Sequence, residues 1–328
     1  MNKTIITTGN FNLDEILYRE LSDKTKYARI TINSWVTCEI GGNAGNVSVE
    51  LAIMGWNVYP IAMFDESPQG QWCMEDLALY GCNTRFVSCS PKGGTFIFRA
   101  IHNMRGKDGK IKMGIRTCGP TSMFPKRHNL TVREEAPALI ASLDFVPDVF
   151  FFGSPEAGHR YLAQGLRNRG SLIYYEIQNK IEMNKALRDS LEVAHIIKMS
   201  DEHVTLAQAD EFVRSYPHKL FIQSMGAQGV RFSLHGQQWV TIPAVPVQKV
   251  ADTEGAGDAM TAAFINALPV HDVSRLTTDQ VRTALKVALQ ASAQAISYIG
   301  AKGHILNDPK YAHIEKVVRK RIESIKDH

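Results

Sequence analysis

A turn of small residues leads directly into a helix-forming run near residue 255. The segment Gly255-Ala256-Gly257-Asp258 is followed by AMTAAFINAL, whose residues favour a helix. The first N–H groups of a helix lack intrahelical partners, and the helix dipole attracts negative charge to them. We therefore expect the amides of Gly255, Ala256 and Gly257 to bind an anion, with Asp258 accepting the proton of an attacking hydroxyl. The same residues also fit a simple glycine turn before a helix cap.

A second motif decides between these interpretations. The segment GGNAGN at residues 41–46 precedes a predicted helix, Ala44–Met54. Gly42 allows a ligand to approach the backbone, and Asn46 offers a donor and acceptors to hydroxyl groups. Asn12 and Asp14 follow the first predicted strand, at the strand ends where ligands bind in parallel sheets. These residues predict a site for a polyhydroxylated acceptor.

Composition and missing motifs exclude several classes of protein. The 37 Lys and Arg residues nearly balance the 33 Asp and Glu residues, so binding of nucleic acid is not expected. No apolar run approaches the length of a membrane span, and the five cysteines contain no CxxC pair. We therefore expect a cytoplasmic protein with free thiols. The chain also lacks the GxxxxGK[ST] loop, so a nucleotide would have to be bound in another way.

The hydrophobic pattern predicts the elements that position these motifs. Short β-branched runs alternate with helical stretches, which indicates an α/β protein with a mostly parallel sheet. We predict strands at Thr4–Thr8, 58–62, 84–87, 149–152, 172–176, 195–199, 219–224, 229–234 and 237–242, and helices at 44–54, 69–80, 156–169, 184–194 and 313–326. Residues 15–40 and 94–118 carry alternating patterns of a small second sheet. We interpret them as a lid on a single domain of residues 1–328, with edge hairpins as the alternative.

Together these motifs resemble the ribokinase-like, phosphofructokinase-B type family of carbohydrate kinases. The resemblance rests on GNFNLD, on GGNAGNVSVELAIMGWNVYPIAMFDESPQG and on VADTEGAGDAMTAAF. It implies a three-layer ribokinase-like fold with a small β-sheet lid, and ATP-dependent phosphorylation of a hydroxyl on a sugar or sugar-like molecule. By resemblance, Asp258 is the catalytic base, Gly255, Ala256 and Gly257 form the anion hole, and Asp14, Gly42 and Asn46 bind the acceptor. Asn12 joins this set from its place after the first strand.

The resemblance also implies the nucleotide and ion sites. ATP would contact Ser224, Gly226, Gly229 and Thr253, and Mg²⁺ would accompany it. A monovalent cation such as K⁺ would lie beside Asp252 and Glu254. Members of the family often pair through their lids, which implies a homodimer here.

Two segments depart from the family pattern. Ser200-Asp201-Glu202-His203 stands where the family has Asn-x-x-Glu, an element that organises Mg²⁺ through water. His203 is a poor substitute because Mg²⁺ prefers oxygen ligands, so either Glu202 or Asp201 takes over this role or the handling of magnesium is altered. Glu176-Ile177-Gln178 replaces the family's Asp-x-Asn.

Two alternative functions stay open at the level of the sequence. A nucleoside kinase of the same fold would need an aromatic pocket, which Trp35, Phe96 and Phe98 could supply. A ligand-binding protein without catalytic activity would explain the altered Ser200–His203 element. The intact Gly255–Asp258 segment argues against that second alternative.

Overall fold

The structure is a computed structural model that describes residues 3–18, 34–91, 93–105, 111–118, 135–269 and 272–326. Two parts of the predicted lid segments, residues 19–33 and 106–110, lie outside the described residues, as does the side chain of Trp35. The part that is described contains an eight-stranded sheet, a four-stranded sheet and a two-stranded sheet.

The large sheet carries the predicted α/β pattern. Its strand order is β14-β13-β12-β11-β10-β9-β1-β4, and only β13 and β14 run antiparallel to their neighbours. The strands are β1 (Thr4–Thr8), β4 (Asn57–Pro60), β9 (Val149–Phe152), β10 (Leu172–Glu176), β11 (Ile196–Ser200), β12 (Leu220–Ser224), β13 (Val230–Leu234) and β14 (Val240–Ile242). The carboxyl ends of β1 and β9 to β12 therefore meet at one edge, where the fold collects its polar side chains.

Helices cover both faces of this sheet, which explains why its central strands are largely apolar. One face packs α1 (Asn43–Ile53), α7 (Ala256–Ala267) and α8 (Thr278–Ala295), and the apolar core on that side extends to α2 (Pro68–Leu79) and α10 (Ala312–Lys326). The other face packs α3 (Ala136–Ser142), α4 (Ala157–Asn168), α5 (Lys185–Val193) and α6 (Leu206–Ser215). Along β9, Phe151 belongs to the first core and Phe150 and Phe152 to the second, because neighbouring side chains of a strand point to opposite faces. A short helix, α9 (Gly303–Leu306), precedes α10.

The small sheet is separate from the large one. Its order is β3-β2-β7-β8, formed by β2 (Asn12–Tyr18), β3 (Ser34–Gly41), β7 (Phe96–Arg105) and β8 (Ile111–Cys118). Strand β2 pairs in parallel with β7, and the register places Asn12 beside Phe96 and Asp14 beside Phe98. The predicted small second sheet is confirmed, whereas its action as a lid stays a prediction.

Two of the predicted strands were wrong in detail. Residues Thr84–Phe86 form a 3₁₀ turn, and the strand there is β6 (Val87–Cys89), because the Asn83 side chain accepts from the Arg85 amide and starts a turn. The predicted strand 58–62 is two strands, since the chain leaves β4 after Pro60 and pairs with β6 as β5 (Ala62–Phe64).

Two expectations from composition concern cysteines and membranes. The described cysteine side chains, Cys38, Cys73, Cys82 and Cys89, are all free thiols. Within the described ranges, we find no helix with the length and apolar character that a membrane span requires.

Candidate active site

The turn before α7 is held open by its glycines. Gly255 has φ of 74°, and a Cβ built on it would lie 2.5 Å from the Cβ of Ala301. This position therefore needs glycine both for its backbone conformation and for its packing. No side chain within the described residues caps this helix, and Gly257 is exposed. The Ala256 amide donates to the Thr253 carbonyl at 3.4 Å, which is a long hydrogen bond. Binding of an anion at this helix start stays a prediction.

Asp258 lies in the first turn of α7 and contacts the second sequence motif. The side-chain amide of Asn46, in α1, donates a hydrogen bond of 2.8 Å to Asp258 Oδ2. The two motifs are 212 residues apart in the chain and meet across the packed pair of helices. The turn and the predicted acceptor residue Asn46 therefore lie side by side.

The surroundings of Asp258 raise its pKa. Burial is the main cause, the nearby Glu176 carboxylate adds to it, and the value reaches about 7. The Asn46 hydrogen bond and the charges of Lys198 and Lys302 act in the opposite direction. A carboxylate with a pKa near neutrality is a better general base than an ordinary aspartate.

A buried ion pair lies directly under the turn. Lys198, in β11, is 2% exposed, and its Nζ is 2.5 Å from Glu176 Oε1, at the end of β10. The same ammonium donates to the carbonyl of Gly257 at 2.7 Å and to Thr261 Oγ1 at 2.8 Å. Thr261 in turn donates to Glu176 Oε2 at 3.0 Å. This network ties the sheet to the first turn of α7 and holds the anion-binding turn at the edge of the sheet.

The predicted acceptor residues lie at the junction of β1, β2 and α1. The Asn12 side-chain amide donates to Asp14 Oδ1, and both residues are buried. Gly42 has φ of 78°, and a Cβ built there would lie 2.4 Å from the Asn10 carbonyl. Gly42 is thus required by the backbone, which is a structural reason independent of any ligand. Burial raises the pKa of Asp14 to about 6, and the charge of Lys302 opposes this increase.

A cleft lies on the α5 side of these residues. It is an open cleft with a volume of about 140 Å³ between the loop after β9 and the loop after β10, and its lining includes Asn10, Ser154, Gln178 and Asn179. Gln178 therefore faces the cleft. Glu176, from the same segment Glu176-Ile177-Gln178 that replaces the family's Asp-x-Asn, pairs with Lys198 instead.

The carboxylates of Asp252 and Glu254 precede the turn. Asp252 is buried and accepts from the amides of Glu254 at 3.1 Å and Gly300 at 2.9 Å. Burial raises the pKa of Glu254 to about 8, with Asp14 and Asp252 as the next causes. These contacts give Asp252 a structural role, and the predicted cation site beside it stays a prediction.

The predicted nucleotide residues lie farther along the same edge, after β12. Ser224 Oγ donates to the Met199 carbonyl at 3.4 Å. A Cβ built on Gly226 would meet no described atom within 4 Å, so space is open there. Gly229 differs, because its Cβ would lie 2.2 Å from the Ile242 carbonyl, which makes this glycine necessary for strand packing. Thr253 is exposed in the loop before α7.

The segment Ser200–His203, which departs from the family pattern, begins at the last residue of β11 at this edge. His203 Nδ1 lies 3.1 Å from Ser200 Oγ, so the imidazole is held by its own turn. Asp201 and Glu202 are exposed, and the Asp201 amide donates to the Ser224 carbonyl at 3.0 Å. No group of three His, Cys, Asp or Glu side chains in the described part of the chain forms a metal site. The oxygens of Asp201 and Glu202 fit a Mg²⁺ held through water with nucleotide phosphates.

The structure brings Asp258, its turn, Asn46 and Asp14 together, and it adds two residues that the sequence reasoning missed. Lys198 could have been found, because a lysine inside an apolar strand signals a buried partner. Lys302 gave no comparable signal, since it stands in an ordinary glycine-containing segment, YIGAKGH.

Comparisons with known proteins agree with this geometry. The family model described as pfkB family carbohydrate kinase matches residues 163–307. This match confirms the resemblance to that family for the second half of the chain, which contains Lys198 and the turn with Asp258. Among curated proteins, the search finds none that matches the sequence.

Solved structures extend the likeness to the whole fold. Arabidopsis thaliana ribokinase complexed with ribose and ATP has 16% identity and a TM-score of 0.66, covering 93% of this chain and 98% of that one. An uncharacterised sugar kinase from Pyrococcus horikoshii in complex with ATP has 20% identity and a TM-score of 0.64, covering 94% and 99%. Fructokinase with bound ATP from Xylella fastidiosa has 15% identity and a TM-score of 0.66, covering 93% and 95%. At these identities the likeness establishes the fold.

Proposed function

Because this chain has the ribokinase fold and its residues 163–307 match the pfkB carbohydrate kinases, we propose that it is an ATP-dependent kinase for a sugar-like acceptor. The reaction is transfer of the γ-phosphoryl group of ATP to an acceptor hydroxyl. The observation that carries the proposal is the hydrogen bond between Asn46 and Asp258, which joins the predicted acceptor site to the predicted anion hole.

Asp258 and the turn before it divide the chemistry between them. The amides of Gly255, Ala256 and Gly257 stabilise the negative charge that the transferring phosphoryl group carries. The Asp258 carboxylate accepts the proton of the attacking hydroxyl, and its raised pKa suits that step. Lys198 does not need to touch a ligand, since its bond to the Gly257 carbonyl already fixes the turn.

We propose that the acceptor is a neutral polyhydroxylated molecule. Burial raises the pKa values of Asp14, Glu254 and Asp258, neighbouring carboxylates add to the increase in each, and the charge of Lys302 opposes all three increases. An acceptor with its own carboxylate or phosphate would add repulsion in this group. Hydroxyl groups, in contrast, can donate to Asp14 and accept from Asn46.

The nucleotide would lie toward β12, where space is open at Gly226. Ser224, Gly226, Gly229 and Thr253 are its proposed neighbours. With ATP bound, Mg²⁺ would neutralise phosphate charge, held through water by Glu202 or Asp201. The same proposal includes three further features. A monovalent cation such as K⁺ lies beside Asp252 and Glu254. The small sheet closes over the acceptor, and two copies of the chain pair through that sheet.

A coupled assay of ADP release tests the function. The purified protein is incubated with ATP, Mg²⁺ and a panel of neutral sugars, polyols, sugar acids and nucleosides, with and without K⁺. We expect release above the rate without acceptor for at least one neutral polyol, with a phosphorylated product detected by mass spectrometry. The absence of transfer to every panel member, combined with calorimetric binding of a sugar, would favour the non-catalytic alternative.

The variant Asp258→Ala tests the role of the base. We expect a loss of kcat of about 10²-fold or more, because general base catalysis typically contributes 10²–10⁴-fold. Binding of the acceptor should change little, since Asp14 and Asn12 remain. Near-normal kcat in this variant would remove Asp258 from the reaction.

Nucleoside phosphorylation is the second candidate, and one observation favours it. Phe96 and Phe98 are partly exposed and lie beside Asn12 and Asp14 in the register of β2 and β7. Aromatic rings in this position can stack on a base or on the apolar face of a sugar. The panel separates the two, because a nucleoside kinase would turn over nucleosides with a higher kcat/KM than the free sugars.

A further inference from the structure

Lys302 is a buried lysine beside the proposed catalytic base. It lies in the turn between α8 and α9, and its side chain is 1% exposed. Its ammonium donates a hydrogen bond of 2.9 Å to Asn46 Oδ1. Burying a lysine costs several kcal/mol unless charges or hydrogen bonds compensate for it. The compensation here consists of residues of the proposed active site, which makes an incidental packing role a poor explanation.

The hydrogen bonds set the orientation of the Asn46 amide. An asparagine side chain has one accepting oxygen and one donating nitrogen. Because Lys302 can only donate, it selects the Asn46 oxygen and leaves the nitrogen for Asp258 Oδ2, at 2.8 Å. An inverted amide would place an N–H group against the ammonium and an oxygen against the carboxylate. Lys302 thus specifies which partner Asn46 offers to the base.

The turn that carries Lys302 is also packed against the anion-binding turn. Ala301 would lie 2.5 Å from a Cβ on Gly255, and the Gly300 amide donates to Asp252 at 2.9 Å. The position of Lys302 is therefore coupled to the loop that starts α7.

Charged groups face Asp258 from several elements. They are Glu176 from β10, Lys198 from β11, Glu254 from the loop before α7 and Lys302 from the turn before α9. Two of these four groups are carboxylates, which favour protonation of Asp258. Lys198 is already paired with Glu176, so Lys302 is the remaining cation of this set.

From these contacts we propose that Lys302 is a positioning residue for phosphoryl transfer, which orients Asn46 toward Asp258 and supplies a positive charge that favours the ionised carboxylate. The proposal rests on the proposed kinase function and deepens it. It predicts that Lys302 influences the pH dependence of catalysis without touching the transferred group.

Two substitutions separate the effect of charge from that of the hydrogen bond. Lys302→Gln keeps a donor for Asn46 but removes the charge, and Lys302→Met removes both while filling a similar space. The measurement is kcat from pH 5.5 to 9.5 with saturating ATP, Mg²⁺ and the best acceptor of the panel. We expect the acidic limb of the kcat–pH profile to move to a higher pH by about 1 unit in both variants. A nearby cation lowers the pKa of a carboxyl group by about this amount, and both variants lack that cation.

Because of that shift, each variant should lose more kcat at low pH than at high pH. A general loss of structure would not produce this difference. Relative to wild type, kcat should fall about tenfold more at pH 6 than at pH 9. Lys302→Met should also lose kcat at pH 9, where Lys302→Gln should retain more of it, because only the glutamine can still hold the Asn46 oxygen. Lys302→Arg keeps the charge and should leave the acidic limb unshifted.

Lys219→Met is the matched control. Lys219 is also a buried lysine, but it donates to the carbonyls of Glu192 and Ala194 at the other end of the sheet. The dependence of kcat on pH in the Lys219→Met variant should have the same shape as in the wild type. The proposal is overturned if Lys302→Gln and Lys302→Met lower kcat by the same factor at every pH. Failure of the wild type to phosphorylate any acceptor would instead refute the kinase function, so the two failures are distinguishable.

Discussion

Replacing the Asp258 carboxylate should make the folded protein more stable at neutral and alkaline pH. Burial and the neighbouring Glu176 raise the pKa of Asp258 from 3.8 to about 7, so the folded state disfavours the charge that the proposed reaction requires. Asp258→Asn removes this charge and keeps the shape of the side chain. The variant therefore relieves a destabilising feature of the wild type while it removes the base.

The sign of the pH dependence follows from the two pKa values. A carboxyl group whose pKa is higher in the folded state binds more protons there than in the unfolded state. Its contribution to stability is present below about pH 4 and is lost as the pH rises to about 7. We therefore expect Asp258→Asn to gain stability relative to wild type over this range, with a plateau at higher pH.

The magnitude follows from the same values. A rise from 3.8 to about 7 corresponds to about 4 kcal/mol at 1.36 kcal/mol per unit. Asp258 is partly exposed, so solvent screening reduces this figure, and we expect a relative gain of about 2 kcal/mol between pH 4.5 and 8.

Urea unfolding at pH 4.5, 6 and 8 measures the effect, with free energies from linear extrapolation. Asp279→Asn is the control, because this aspartate is 91% exposed in the first turn of α8 and should show no comparable trend. A difference between Asp258→Asn and wild type that stays constant or shrinks from pH 4.5 to 8 would refute the raised pKa of Asp258.

Two further substitutions test the turn and the ion pair beneath it. Gly255→Ala should destabilise the folded protein by more than about 1 kcal/mol, because alanine is strained at a positive φ and its Cβ would contact Ala301. The control is Gly81→Ala, because Gly81 has a similar φ of 93° but lies in open space. This control should cost less stability in the same thermal unfolding experiment. Lys198→Met should destabilise by about 3–5 kcal/mol in urea, because it leaves Glu176 buried without its partner, and adding Glu176→Gln should restore part of the loss. Equal costs for the two glycine variants, or no recovery in the double variant, would contradict these explanations.

The sequence by itself determined the class of fold and the positions of several helices and strands. Apolar strands such as Val149–Phe152 indicate a sheet covered on both faces, and the alternation with helices indicates parallel pairing. The two glycine-rich turns also predicted where ligands would bind, because the conformational freedom of glycine and the free amides of a helix start are local properties. Strand ends were less predictable, as the turn at Thr84–Phe86 shows, since a single side-chain hydrogen bond decides them.

Only the tertiary structure decided which side chains meet. The contact between Asn46 and Asp258 joins residues 212 positions apart, and that of Lys302 with Asn46 spans 256 positions. Contacts between residues so far apart produce no periodicity or local composition that could be detected in the sequence. They depend on how α1, α7 and the turn before α9 pack on one face of the sheet. The raised pKa of Asp258 is decided in the same way, since burial and the charge of a distant residue arise only when the chain is folded.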